Sequence, residues 1–109
     1  MGWRFDRAYY RLVYPLAFRP TFRVGDRIFE VVDLSEEGAR LMITDDTGPA
    51  MGDELAGIIQ LPTGDVIEVV GTVVRIEPPH TSLHLRRGVP FGIMLEQQRF
   101  LERRVASWG

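Results

Sequence analysis

The sequence predicts an all-β fold, a small antiparallel β-barrel, closed or nearly closed, with a C-terminal α-helix packed across an opening. Three observations lead there. The chain has 109 residues, enough for one domain with one modest hydrophobic core. About seven short strand-like runs follow one another, each bounded by turn residues, the pattern of a barrel or sandwich. After Glu96 the spacing of apolar residues changes from the period of a strand to that of a helix.

Residues 1–18 show neither period, and Tyr14-Pro15 biases the chain toward an extended conformation. They read as a flexible N-terminal arm, either packed across the domain or ordered by a ligand, leaving 19–109 for the barrel and helix. Phe22 and Val24, a turn at Gly25-Asp26, and the run Ile28, Phe29, Val31, Val32 read as a hairpin. Asp33 to Gly38 is a polar turn, and Ala39, Leu41 and Ile43 alternating with Arg40, Met42 and Thr44 form a third strand. Residues 45–54 are a loop. Leu55 to Leu61 is a strand interrupted by Gly57, and Pro62-Thr63-Gly64-Asp65 is a turn before a long strand from Val66 to Ile76. Gly71 in that strand marks a bulge or bend, as a small barrel needs at its corners. Glu77-Pro78-Pro79 ends it, Ser82 to Arg86 alternates around Leu83 and Leu85, Arg87-Gly88 turns the chain, and Val89 to Leu95 reads as the last strand. Phe100, Leu101, Val105 and Trp108 then fall on one stripe of an amphipathic helix.

Composition excludes several functions. There is no Cys, which removes disulfides and thiol nucleophiles. His80 and His84 are the two imidazoles, and no carboxylate spacing suggests a metal site. No segment approaches the roughly 18 apolar residues of a membrane span, and Met1 to Arg11 lacks a signal-like apolar core, so the expected location is cytoplasmic. All 13 basic residues are Arg. Residues 1–27 hold six Arg against two Asp, residues 28–68 one Arg against ten acids, and residues 69–109 six Arg against three Glu. The acidic middle would repel a DNA or RNA polymer, whereas a small anion held by a few guanidinium forks suits this distribution.

Two clusters carry candidate chemistry. Arg7-Ala8-Tyr9-Tyr10-Arg11 spaces two guanidiniums four apart with tyrosines between them. Such groups suit phosphate oxygens and the Hoogsteen edge of guanine, and stack on bases, but the spacing alone equally describes a solvent-facing arm. Asp33-Leu34-Ser35-Glu36-Glu37-Gly38 lies between two strands. Asp33 and Ser35 suit bonds to neighbouring amides, and Gly38 a backbone conformation closed to other residues, so the segment is explained as a turn. It also suits base reading, with the carboxylate accepting from guanine N1 and N2, the hydroxyl completing the edge, and Gly38 letting the base approach. The remaining polar residues read as ordinary surface. His84 alternates outward, Asp45-Asp46 belongs to a solvated loop, Ser35 has no sequence-visible base, and Gly48 and Gly52 lack the Lys and Ser/Thr of a phosphate loop. No catalytic residue is assigned.

Arg7-x-x-x-Arg11 followed by Asp33-x-Ser35-x-x-Gly38 at a strand-to-strand turn resembles the signature of the PilZ domain, the bacterial receptor module for cyclic di-GMP. The similarity extends through Gly71-Thr72-Val73-Val74 and Phe91-Gly92-Ile93, taken as strands, over roughly residues 5 to 106. It implies a six-stranded antiparallel split barrel with a C-terminal helix, and no enzymatic activity. It implies further that Arg7 and Arg11 wrap the cyclic diphosphate while Asp33, Ser35 and Gly38 read the base. The implied partners are cyclic di-GMP and a protein effector, with a nucleotide-free adaptor as the alternative. Two positions depart from the common pattern. Asp6 stands where many members carry a further Arg, which disfavours a second stacked dinucleotide, and Ala39 replaces a second Gly.

Overall fold

The computed structural model describes residues 11–108. Among them are seven strands, β1 (Leu12–Val13), β2 (Thr21–Val24), β3 (Arg27–Leu34), β4 (Gly38–Met42), β5 (Glu54–Gln60), β6 (Val66–Glu77) and β7 (His80–Arg87). A 3-10 turn spans Leu16–Phe18, and the helix α1 runs from Phe91 to Trp108. All pairings are antiparallel. Strands β3-β2-β5-β6-β7-β4 follow one another, and a β3–β4 pairing closes the ring into a six-stranded barrel. The extra strand β1 lies on β3 beyond the end of β2, pairing Leu12 with Leu34 and Val13 with Asp33. Closure removes the exposed edges that a sheet of this size would otherwise offer.

Alternation fills the barrel. Phe22, Phe29, Val31, Leu41, Ile59, Val69, Val73, Leu83 and Leu85 are buried and point inward from six strands, each contributing roughly 1.5–3 kcal/mol by burial. Gly25 has φ 61° and begins a two-residue turn that pairs Val24 with Arg27. A left-handed first position is what matches such a turn to the twist of its strands. The bend expected at Gly71 is present as a register shift between Val70 and Gly71. A Cβ there would stand 2.9 Å from the Leu85 side chain.

One segment differs from the sequence reading. Val89 to Leu95 is not a strand, because α1 already begins at Phe91. Pro90 opens it, its carbonyl accepting from the amides of Ile93 and Met94 at 3.0 and 3.1 Å. Met94, Gln97 and Leu101 then face the core at helical spacing. A short apolar run has no period that separates a strand from a buried helix turn. Phe100 packs against the core beside Leu101, while the side chains of Val105 and Trp108 lie outside the described set.

On the N-terminal side, residues 12–18 of the segment read as an arm take the packed alternative from Leu12 onward; residues 1–10 lie outside the described residues. Leu12 and Tyr14 are buried, and the Tyr14 amide donates to the Val32 carbonyl at 3.0 Å. The Tyr14 hydroxyl donates to Gln97 Oε1 at 2.9 Å, and Gln97 Nε2 donates to Thr63 Oγ1 at 3.0 Å. Thr63 in turn donates to Asp65 at 2.7 Å, completing a chain from the N-terminal segment through the helix to the β5–β6 turn. Phe18 meets Phe100 edge to face with centroids 5.8 Å apart. Gln97 is 0% exposed, so Tyr14→Phe strands its carbonyl oxygen away from water. The expected cost is about 1–3 kcal/mol, read as a lowered urea midpoint with an unchanged m-value, while Tyr14 to Phe leaves the apolar packing in place.

Candidate ligand-binding site

A β-bulge in β3 builds the centre of the site. Val31 pairs with Leu41 of β4, and after one extra residue Asp33 pairs with Arg40 and Leu34 with Ala39. Without the insertion Val32 would oppose Arg40, and Asp33 would turn toward the core beside Ala39. The bulge instead brings Asp33 to the outer face of β4, a common use of such an insertion. Alternation along the first strand puts Arg11 and Val13 on this same face, because Val13 is the cross-strand partner of Asp33.

The Asp33 carboxylate is 3% exposed and stands between two guanidiniums. Arg11 Nε is 3.6 Å from Oδ1, and Arg40 Nη2 is 2.7 Å from Oδ2. The Arg40 approach is an ion pair without the alignment of a hydrogen bond, and Arg40 Nε is buried with no hydrogen-bond partner among the described residues. Burying a carboxylate is costly unless it is paired, and the two arginines supply that pairing. Arg11 is the looser partner, 57% exposed and next to a two-residue strand.

The turn that follows is closed by Ser35, whose amide donates to the Gly38 carbonyl at 2.8 Å, with the hydroxyl at 3.4 Å from the same oxygen. Gly38 does not have a positive φ, so its role differs from the conformational one expected. A Cβ at Gly38 would stand 3.2 Å from Ser35 Oγ and 3.6 Å from the Leu83 carbonyl, which makes it a matter of space. The turn is docked on β7 and the β7–α1 connection, where Leu85 donates to the Glu37 carbonyl at 2.8 Å and Val89 to that of Glu36 at 3.0 Å. Gly88 lies directly beneath it, with room for no side chain.

The described residues therefore bring Arg11, Asp33, Ser35 and Gly38 to one end of the β3–β4 hairpin, and Arg7 lies outside them. Arg40 joins them, although the sequence reading took it as an ordinary outward position of a strand. Its signal was available in the alternation, which places it on the outer face, but the bulge that sets Asp33 opposite it leaves no mark in the pattern. His84 is exposed, as expected, and is the cross-strand partner of Gly38. Asp45 belongs to a loop, as read, and accepts from the Thr47 hydroxyl and amide at 2.6 and 3.0 Å. Those bonds hold its pKa below the ordinary carboxylate value. A separate cleft of about 530 Å³ opens beyond the far end of β4, between Ile43–Pro49 and the Pro78-Pro79 turn. Among the described residues no three His, Asp or Glu side chains converge as a metal site, and no helix is long and apolar enough to cross a membrane.

Comparison with solved structures agrees on the architecture. A Legionella protein described as uncharacterised superimposes with a TM-score of 0.56 at 18% identity, covering 93% of this chain and 100% of that one. The Bacillus subtilis inhibitor of motility (MotI/DgrA) superimposes with a TM-score of 0.61 at 19% identity, covering 94% of this chain and 51% of that one. At such identities the likeness is one of fold. No curated protein sequence matches the chain significantly. The family model described as the PilZ domain matches residues 5–107, nearly the whole chain, and the protein belongs to the PilZ domain family.

Proposed function

We propose that this protein is a receptor domain for cyclic di-GMP, a binding module rather than an enzyme, acting in the cytoplasm through a protein effector. The observation that carries the reading is the meeting of Arg11 with Asp33 at 3.6 Å, at the head of the Ser35–Gly38 turn. An exposed guanidinium suits the cyclic diphosphate, and a buried, paired carboxylate is an acceptor-only group that suits the N1–H and N2–H donors of guanine. Arg7 would complete the phosphate clamp, and Ser35 and Gly38 would let the base lie on the turn. The similarity in fold to a motility inhibitor is compatible with signalling through a partner protein.

Isothermal titration calorimetry tests this reading. The protein is expected to bind cyclic di-GMP at least tenfold more tightly than cyclic di-AMP, since one good bidentate base contact discriminates by roughly 1–3 kcal/mol. One dinucleotide per chain is expected at micromolar ligand, because Asp6 adds a negative charge where two stacked ligands would bring four phosphates. Equal affinity for the two dinucleotides, or no heat with either, would defeat the proposal; saturation at two ligands per chain would defeat only the role given to Asp6.

A further inference from the structure

Asp33 has to do two things that conflict. To read guanine it must stay a carboxylate, since only the ionised form is purely an acceptor. Yet a bound base would cover a group that is already 3% exposed, and a buried carboxylate without a partner is costly. The charge therefore needs a partner that stays in place when the ligand arrives. Arg11 is poorly suited to that task. It is the more exposed of the two guanidiniums and the more distant, and in the proposed reading it turns to the phosphates.

Arg40 has the opposite properties. It lies in β4, hydrogen-bonded on one side to β3 and on the other to β7, where it pairs with Ser82. Its side chain is 34% exposed, its Nε is buried, and its Nη2 is 2.7 Å from Asp33 Oδ2. Asp33 Oδ2, on the Arg40 side, is buried, so Oδ1, the oxygen that faces Arg11, is the acceptor left for a base. We infer that Arg40 is the resident counter-ion of Asp33, a positioning residue that keeps the base-reading carboxylate paired and aimed while Arg11 leaves it for the phosphates. This rests on the cyclic di-GMP reading and adds to it a residue outside both motifs. It makes selectivity for guanine depend on a side chain that does not itself touch the ligand.

The test is calorimetric titration of the unmodified protein, Arg40→Gln and Arg40→Lys with cyclic di-GMP and cyclic di-AMP, alongside thermal melting of each. Arg40→Gln is expected to lose about tenfold or more in cyclic di-GMP affinity, with the ratio of the two affinities falling toward one. Arg40→Lys, which keeps the charge, is expected to keep a guanine preference near that of the unmodified protein. Should Arg40→Gln melt below the titration temperature, the Lys variant decides the matter, and loss of its guanine preference would overturn the inference. A lowered melting temperature in Arg40→Gln with an unchanged affinity ratio would also overturn it, because the pair would then be only structural. Absence of binding by the unmodified protein would remove the nucleotide reading and this inference with it, whereas normal binding by Arg40→Gln would remove this inference alone.

Discussion

Asp33→Asn is expected to weaken cyclic di-GMP binding by ten- to a hundredfold while leaving a folded barrel. The amide keeps the shape of the side chain but replaces one acceptor with a donor, which would face the donors of guanine or those of Arg40. Losing a hydrogen bond to a charged group costs roughly 1.5–3 kcal/mol, and about 1.4 kcal/mol is a factor of ten in affinity. The Asn variant is the cleaner choice over Asp33→Ala. Removing one member of a buried ion pair costs about 3–5 kcal/mol of stability, and Ala would take from Arg40, whose Nε already lacks a hydrogen-bond partner, both its counter-ion at 2.7 Å and any polar group in its place. Arg11→Ala provides the companion measurement. Arg11 is largely exposed, so its removal should spare the fold and still lower affinity by about tenfold. Titration calorimetry with circular dichroism melts reads both effects, and unchanged affinity in both variants would refute the site.

Gly88→Ala is expected to destabilise the protein by roughly 1–3 kcal/mol, a fall in Tm on the order of 10 °C for a chain of this size. The added methyl would overlap the backbone carbonyl of Glu36, and neither partner is the free end of a flexible side chain. Relief requires lifting the Ser35–Gly38 turn from the β7–α1 connection, which also breaks the bond from Val89 to Glu36. Binding should therefore weaken together with stability. Gly92→Ala is the control. Gly92 is exposed near the start of α1 with nothing within 4 Å of an added Cβ, and replacing a helical Gly by Ala is worth up to about 1 kcal/mol in favour of the fold. Opposite shifts in Tm are expected for the two substitutions, and equal shifts would contradict the contact at Glu36.

Much of this barrel is legible in the sequence because most of its strands bury one face. Phe22 and Leu83 stand between polar neighbours, Phe29, Leu41 and Val69 have one polar neighbour each, and Gly25, Gly64 and Pro78-Pro79 stand at the turns. The failures come where a period of two is interrupted or absent. Val89 to Leu95 is too short to show its helical repeat, which appears only in the stripe of Met94, Gln97 and Leu101 against the core. Which of the two alternatives Leu12 and Tyr14 take was likewise illegible, because a two-residue strand and hydrogen bonds to Val32 and Gln97 produce no pattern. Asp33, Ser35 and Gly38 were legible as a motif, but their geometry was not. The extra residue in β3 sets Asp33 beside Arg40, and only tertiary contact reveals that Gly38 is small to make room for Ser35 and Leu83.

The central claim is that a guanine dinucleotide is held on the outer face at the β3–β4 turn. An amide NMR titration of the 15N-labelled protein with cyclic di-GMP tests it most directly. Saturable shifts are expected at Arg11 to Val13, Asp33 to Gly38 and Arg40, with Ile43 to Asp46, Gly48 and Ile76 around the far cleft little changed. Shifts concentrated on Ile43, Gly48 and Ile76 instead, or a spectrum unaltered at saturating dinucleotide, would contradict the account.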